Sequence, residues 1–144
     1  MSAIWHGTPS LDMAKQIHVA TAVAHLGIEF VGFGDDWLSA RMPVDDRTVQ
    51  PTRVLHGGAS VLLAETVGSM AAALTVDLNR YVTLGQEINA NHLRPVTQGW
   101  VTGTARPVHL GRRSQVWGIE IRDEADKLTC ISRITMAIVE KPEA

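Results

Sequence analysis

Apolar positions recur along this chain with two different periods, and the switch between them divides it into elements. After Pro9-Ser10, residues Leu11, Ala14, Ile17, His18 and Val19 fall at helical spacing. This predicts a short amphipathic helix running to about Ala24, with Ser10 as its N-cap. Leu26 to Phe33 and Trp37 to Met42 are apolar-rich runs separated by Gly34-Asp35-Asp36, which is a hairpin signal. From Pro43 to Leu55 the chain carries turn formers and charges, including Asp45, Asp46 and Pro51, and reads as a loop. From about Gly57 to Leu78 it is dominated by Ala, Leu, Val and Met on most sides, which predicts one central buried helix. Small residues at Ala59, Ala64, Gly68, Ala71, Ala72 and Ala73 would let a sheet or another helix approach it closely.

Beyond that helix the period becomes two. In Tyr81 to Leu93, residues Val82, Leu84, Ile88 and Ala90 share one expected face, with Thr83, Glu87, Asn89 and Asn91 on the other. Trp100 to Val108 follows a turn at Pro95 to Gly99, and Leu110 to Arg113 breaks the pattern again. Trp117, Ile119 and Ile121 then align, as do Leu128, Cys130, Ile134, Met136 and Ile138. Short links between these four strands imply an antiparallel meander. The expected fold is α+β, with a curved antiparallel sheet of about six strands wrapped around the helix that starts at Gly57.

The 144 residues suit one domain over 1–144, and 45% hydrophobic with 19% charged residues excludes a disordered chain. A net charge of −2 leaves no general footprint for nucleic acid. The run Val54 to Val76 is interrupted by Glu65 and opened by His56, which argues for a core helix and against a membrane span. The N-terminus lacks the basic and apolar regions of a signal peptide, and a lone cysteine, Cys130, allows no intrachain disulfide. The expected location is the cytoplasm. Ten of the 13 basic residues are Arg, and Arg94, Arg106, Arg112, Arg113, Arg122 and Arg133 fall in the second half. Guanidinium forks suit phosphates and carboxylates, although solvated strand faces use them too.

The chemistry concentrates between Gln50 and Ser69. His56-Gly57-Gly58 lies where a loop becomes a helix, so its N–H groups lack intrahelical acceptors and could hold a developing oxyanion. Two glycines at a tight helix entrance, with His56 as cap or core residue, are an equally good structural reading. Glu65 is the one ionisable residue between His56 and Asp77. On a helix fit for burial, a lone carboxylate is costly and becomes a better base near neutral pH; the alternative is a partner at a sheet edge or subunit interface. Ser69, four residues on, shares its face. His56, His92, His109 and Glu65 match no compact metal-ligand spacing, so no metal is expected. Nucleotide and nucleophile-elbow motifs are missing from the sequence.

Several blocks occur in one order: Met42-Pro43-Val44-Asp45, Gln50-Pro51, Leu55-His56-Gly57-Gly58-Ala59-Ser60, Ala64-Glu65, Gly68-Ser69, Glu87 through His92, and His109-Leu110-Gly111-Arg112. Together they resemble the hotdog-fold acyl-CoA thioesterases of the aryl-CoA type. The resemblance implies hydrolysis of an aryl or arylacetyl coenzyme A thioester without a cofactor. It implies Glu65 as nucleophile or general base, the Gly57 N–H polarising the carbonyl, Gln50 and His56 positioning the thioester and Ser69 orienting water. By the same resemblance His92, Arg94, His109, Gly111, Arg112 and Arg113 line the coenzyme A path, and the sites form between subunits of a dimer that pairs into a homotetramer. Two departures stand out, Thr52-Arg53 where the family carries Phe-Gly and Gln86 where an apolar residue is usual. Acyl groups misloaded on a carrier protein are the alternative substrate; a non-catalytic acyl-CoA-binding role and a hydratase are minor ones.

Overall fold

The computed structural model describes residues 2–143. Its elements are α1 (Leu11–Ile17), α2 (Ala22–His25), β1 (Glu29–Phe33), β2 (Leu38–Pro43), α3 (Gly57–Leu74), β3 (Tyr81–His92), β4 (Trp100–Leu110), β5 (Ser114–Asp123) and β6 (Leu128–Glu140). Ser10 is the expected N-cap, its hydroxyl accepting from Met13 N–H at 3.1 Å. The single helix expected to about Ala24 is two short ones. His18 turns its ring back to the Ala14 carbonyl (2.6 Å), and Ala20 takes a left-handed φ of 59°, which ends the helical ladder between them. The long helix stops at Leu74, short of the expected Leu78, with Thr75 as its C-cap.

All six strands form one antiparallel sheet in the order β1-β2-β4-β5-β6-β3. A meander of the last four strands is expected from their short links, but only β4, β5 and β6 form one. β3 pairs with β6 at the far edge. The link 93–99, extended, reaches roughly 23 Å, which exceeds the three strand spacings of roughly 14 Å between β3 and β4. It crosses the start of α3, where Leu55 N–H donates to Val96 O at 2.7 Å, and ends where Val44 N–H donates to Gly99 O at 2.8 Å. With β3 beyond β6, α3 packs against β2, β3, β4, β5 and β6 and buries most of its circumference. Long and apolar enough to cross a membrane by composition, α3 is instead the core of the sheet.

A second departure lies within β3. Gly85 pairs with Met136 and Glu87 with Thr135, so Gln86 is an extra residue, a β-bulge. An extra residue reverses which face the following side chains take. Ile88 and Ala90 therefore turn toward the core while Val82 and Leu84 are exposed, dividing the four residues that simple alternation puts together.

β5 and β6 follow the expected alternation. Trp117, Ile119 and Ile121 are 0–1% exposed, and Cys130, Ile134 and Met136 are equally buried. Burial pushes the Cys130 thiol up from its ordinary range, in keeping with an inert core cysteine. Gly68 sets how closely α3 meets the sheet, because a methyl group there would come within 2.7 Å of Ile134 Cγ2. Gly68→Ala would gain roughly 1 kcal/mol of helix propensity and lose roughly 1–3 kcal/mol to overpacking. A lower melting temperature is the expected outcome in a thermal scan; a rise would show that the helix has room to move.

Candidate active site

The loop entering α3 is pinned from both sides, His56 N–H donating to Thr48 O and Leu55 N–H to Val96 O. His56 is the N-cap, with extended φ −66° and ψ 129°, and its Nδ1 accepts the Gly58 N–H at 2.8 Å. The capping reading of His56 therefore holds within the chain, and the tautomer that accepts at Nδ1 leaves an N–H on Nε2. The carbonyl of His56 accepts from Ala59 and Ser60. Among the described residues no acceptor reaches the Gly57 N–H, which stays free at the positive end of an 18-residue helix.

Beside it lies a cleft of about 310 Å³ lined by Gln50, Leu55, Gly57, Ser60, His92 and Arg94, among others. The fold joins these from three places: the loop before α3, its first turn, and the end of β3 with the crossing link. His92 packs so closely on the helix entrance that a methyl group at Gly57 would lie 3.0 Å from its Nε2. Any side chain at Gly57 would press on that ring and shift it. Ser60, 4% exposed and on the cleft wall, is a site residue that sequence reasoning passed over; its place one turn after Gly57 was the available signal.

Glu65 corrects an expectation. Its side chain is exposed in the chain and not buried. The reason is the sheet edge: Glu65 lies over β3 where Gly85 has no side chain, and a methyl group at Gly85 would come 2.8 Å from Glu65 Oε1. Ser69, half-buried, donates to Met136 Sδ at 3.8 Å, so in the chain its hydroxyl points toward the sheet. Eight residues of α-helix separate Gly57 from Glu65, a rise of roughly 12 Å. Within one chain the free N–H and the carboxylate are too far apart to act on one carbonyl.

The remaining expected residues do not gather in this cleft. His109, Gly111, Arg112 and Arg113 belong to the β4–β5 hairpin, where Gly111 N–H donates to Ser114 O at 2.9 Å and a methyl at Gly111 would lie 2.6 Å from His109 Nε2. Registers place Ser114 beside Ala137 and Ala137 beside Leu84, whereas His92 pairs with Cys130. Eight positions of β3 therefore separate the hairpin from His92, roughly 25 Å. Arg112 and Arg113 line a second cleft, of about 510 Å³, with Arg80 and Tyr81. Among the described residues Arg94, Arg112 and Arg113 make no ion pair, while Arg41, Arg47, Arg53, Arg80, Arg106 and Arg122 each do.

Comparison with known proteins agrees with this architecture. The thioesterase superfamily matches residues 53–130, which contain the Gly57 entrance, Glu65, His92 and the hairpin. The chain is 50% identical over 136 residues to the proofreading thioesterase EntH of Cronobacter turicensis, covering 94% of this chain and 98% of that one. It is 48% identical to the 1,4-dihydroxy-2-naphthoyl-CoA hydrolase of Escherichia coli, covering 94% and 99%. A thioesterase crystal structure from Haemophilus influenzae superposes with a TM-score of 0.94 at 51% identity, covering 97% of each chain. The family match and these relatives, over a six-stranded antiparallel sheet packed on one long helix, make this chain a hotdog-fold thioester hydrolase that belongs to the thioesterase superfamily.

Proposed function

We propose that the chain, as one domain over 1–144, hydrolyses aryl or arylacetyl coenzyme A thioesters at sites shared between two copies of itself. The observation that carries this reading is the roughly 12 Å between Gly57 and Glu65 on one helix. Neither residue completes a site alone, and β3, the edge strand that runs past both, is free to pair. Its landmarks are Gly85 beside Glu65 and His92 beside Gly57. Two copies pairing antiparallel through β3, with the two-fold axis on Ile88 or Asn89, set Gly85 of one opposite the stretch around His92 of the other. Gly57 of one subunit then meets Glu65 of the partner subunit. The same operation offers each cleft a second copy's groups and removes Glu65 from bulk water.

In that site the Gly57 N–H polarises the thioester carbonyl and holds the oxyanion. Gln50 adds a second donor from the cleft wall, and His56 fixes the helix entrance. Glu65 of the partner subunit attacks the carbonyl or takes the proton from an attacking water. Ser69 turns from Met136 to that water. His92 and Arg94 guide the pantetheine arm, and His109, Gly111, Arg112 and Arg113 of a further copy meet the nucleotide phosphates. No cofactor is needed. Exposed apolar side chains on the outer sheet face, among them Val108, Ile131 and Val139, suit the pairing of dimers into a tetramer, and the cytoplasm supplies the substrate. Similarity to a proofreading thioesterase favours a second reading, acyl groups misloaded on a carrier protein. Higher kcat/KM on an acyl-carrier protein than on the matching acyl-CoA would select it.

Mixed assemblies test the shared site. Chains carrying Gln50→Ala and Glu65→Ala, each poorly active alone, are co-expressed with different tags and purified as a mixture. With random pairing half the dimers are mixed and each holds one intact site, so activity returns to about a quarter of wild type. A mixture no faster than the mean of its parents would put Gly57 and Glu65 of one chain in one site and overturn the reading.

A further inference from the structure

Between the isolated bridge partners Val49 and Leu55, residues 50–53 close a tight turn. Arg53 N–H donates to Gln50 O at 2.8 Å and Gln50 N–H to Val54 O at 2.9 Å. Pro51 occupies the second turn position, which its fixed φ favours. Arg53 takes the left-handed φ of 67° and extends its guanidinium to the Asp46 carboxylate. The turn brings Thr52 alongside Gln50, and Gln50 Nε2 donates to Thr52 Oγ1 at 2.9 Å. Gln50 also lines the cleft beside Gly57. Its side chain is therefore tied to the turn at the wall of that cleft.

We propose that Thr52 is a positioning residue for the hydrolysis, acting through Gln50. A glutamine side chain is free about three bonds, and an unrestrained carboxamide spends only part of its time where a thioester oxygen needs a donor. The Thr52 hydroxyl accepts one N–H of the carboxamide and so fixes its plane. The second N–H is left to the cleft that Gln50 and Gly57 both line. The inference rests on the role given to Gln50 above.

The test is a double-mutant cycle on one benzoyl or phenylacetyl-CoA substrate, with kcat and KM measured separately for wild type, Thr52→Val, Thr52→Ser, Gln50→Ala and Gln50→Ala/Thr52→Val. Thr52→Val keeps shape and loses the acceptor; it is expected to lower kcat/KM by about 3- to 10-fold, the worth of one hydrogen bond, with most of the change in kcat. Thr52→Ser is expected to stay near wild type. In the Gln50→Ala background the Val substitution is expected to add nothing. Because Thr52 is exposed, folding is not at stake, and melting temperatures confirm it. Equal losses in both backgrounds, or a silent Thr52→Val beside a damaging Gln50→Ala, would overturn the role of Thr52 alone. A Gln50→Ala enzyme at the wild-type rate would overturn the reading of the cleft itself, and this inference with it.

Discussion

Glu65→Gln is expected to leave a folded, assembled protein that hydrolyses its best thioester at least about 10³-fold more slowly than wild type. The substitution keeps size, exchanges one acceptor oxygen for an NH2 donor and removes the charge, so it abolishes both roles open to the carboxylate, attack on the carbonyl and proton removal from water. A 10³-fold loss corresponds to roughly 4 kcal/mol of transition-state stabilisation, which is within what a positioned base supplies. Folding is insulated from the change. Glu65 is exposed in the chain, makes no ion pair among the described residues, and rests over the open space above Gly85. Thiol release from a panel of aryl-CoA and straight-chain acyl-CoA substrates, followed with a thiol-reactive dye, measures it. Background from the protein is low because Cys130, its one cysteine, is buried, and burial pushes the thiol up from its ordinary range. Turnover within tenfold of wild type, on any substrate the wild type prefers, would remove Glu65 from the mechanism.

The second large effect is on stability. Trp117→Ala is expected to cost roughly 3–5 kcal/mol, a large share of the 5–15 kcal/mol that holds an ordinary domain together. Trp117 is completely buried between α3 and the sheet. Its ring stacks on Trp5 with centroids 6.3 Å apart and planes 9° from parallel, tying the N-terminal arm to the core. Its Nε1 donates to Gln115 Oε1 at 2.9 Å, and Gln115 Nε2 donates in turn to Thr75 Oγ1 at the C-cap of α3. Truncation therefore opens a cavity, unstacks Trp5 and strands a buried amide oxygen. The melting temperature should fall by roughly 10 °C or more, whereas Trp117→Phe, which loses the N–H but keeps an aromatic ring to pack on Trp5, should lose less. A drop of only a few degrees for Trp117→Ala would mean that the N-terminal arm is not anchored through this stack.

Much of the architecture was legible because one face of each element is covered. Trp117, Ile119 and Ile121 alternate with less buried neighbours since β5 packs one side on α3, and the apolar stretch after Gly57, interrupted only at Glu65 by a charge, reads as a helix because the sheet covers most of it. The misreadings occur where spacing along the chain does not carry the information. Gln86 looks like any strand residue, yet as a bulge it sends Val82 and Leu84 to the opposite face from Ile88 and Ala90. The link 93–99 is short enough to suggest neighbouring strands, and the need to cover α3 on both sides sends β3 past β6 instead.

The candidate site divides along the same line. Local patterning shows which groups are available: a glycine at a helix entrance whose N–H is free by helix geometry, one carboxylate two turns further on, and arginines suited to phosphates. These follow from local rules, because a helix leaves its first N–H groups unpaired wherever it starts. Where they stand follows from the packing of elements distant in the chain. It set Glu65 on the uncovered strip above Gly85, His92 against Gly57, and His109, Arg112 and Arg113 at the other end of the sheet. Apolar periodicity reports that a side of a helix is covered; which strip the sheet leaves open depends on strand order and on one extra residue in β3, and both are settled by contacts between segments far apart in the chain.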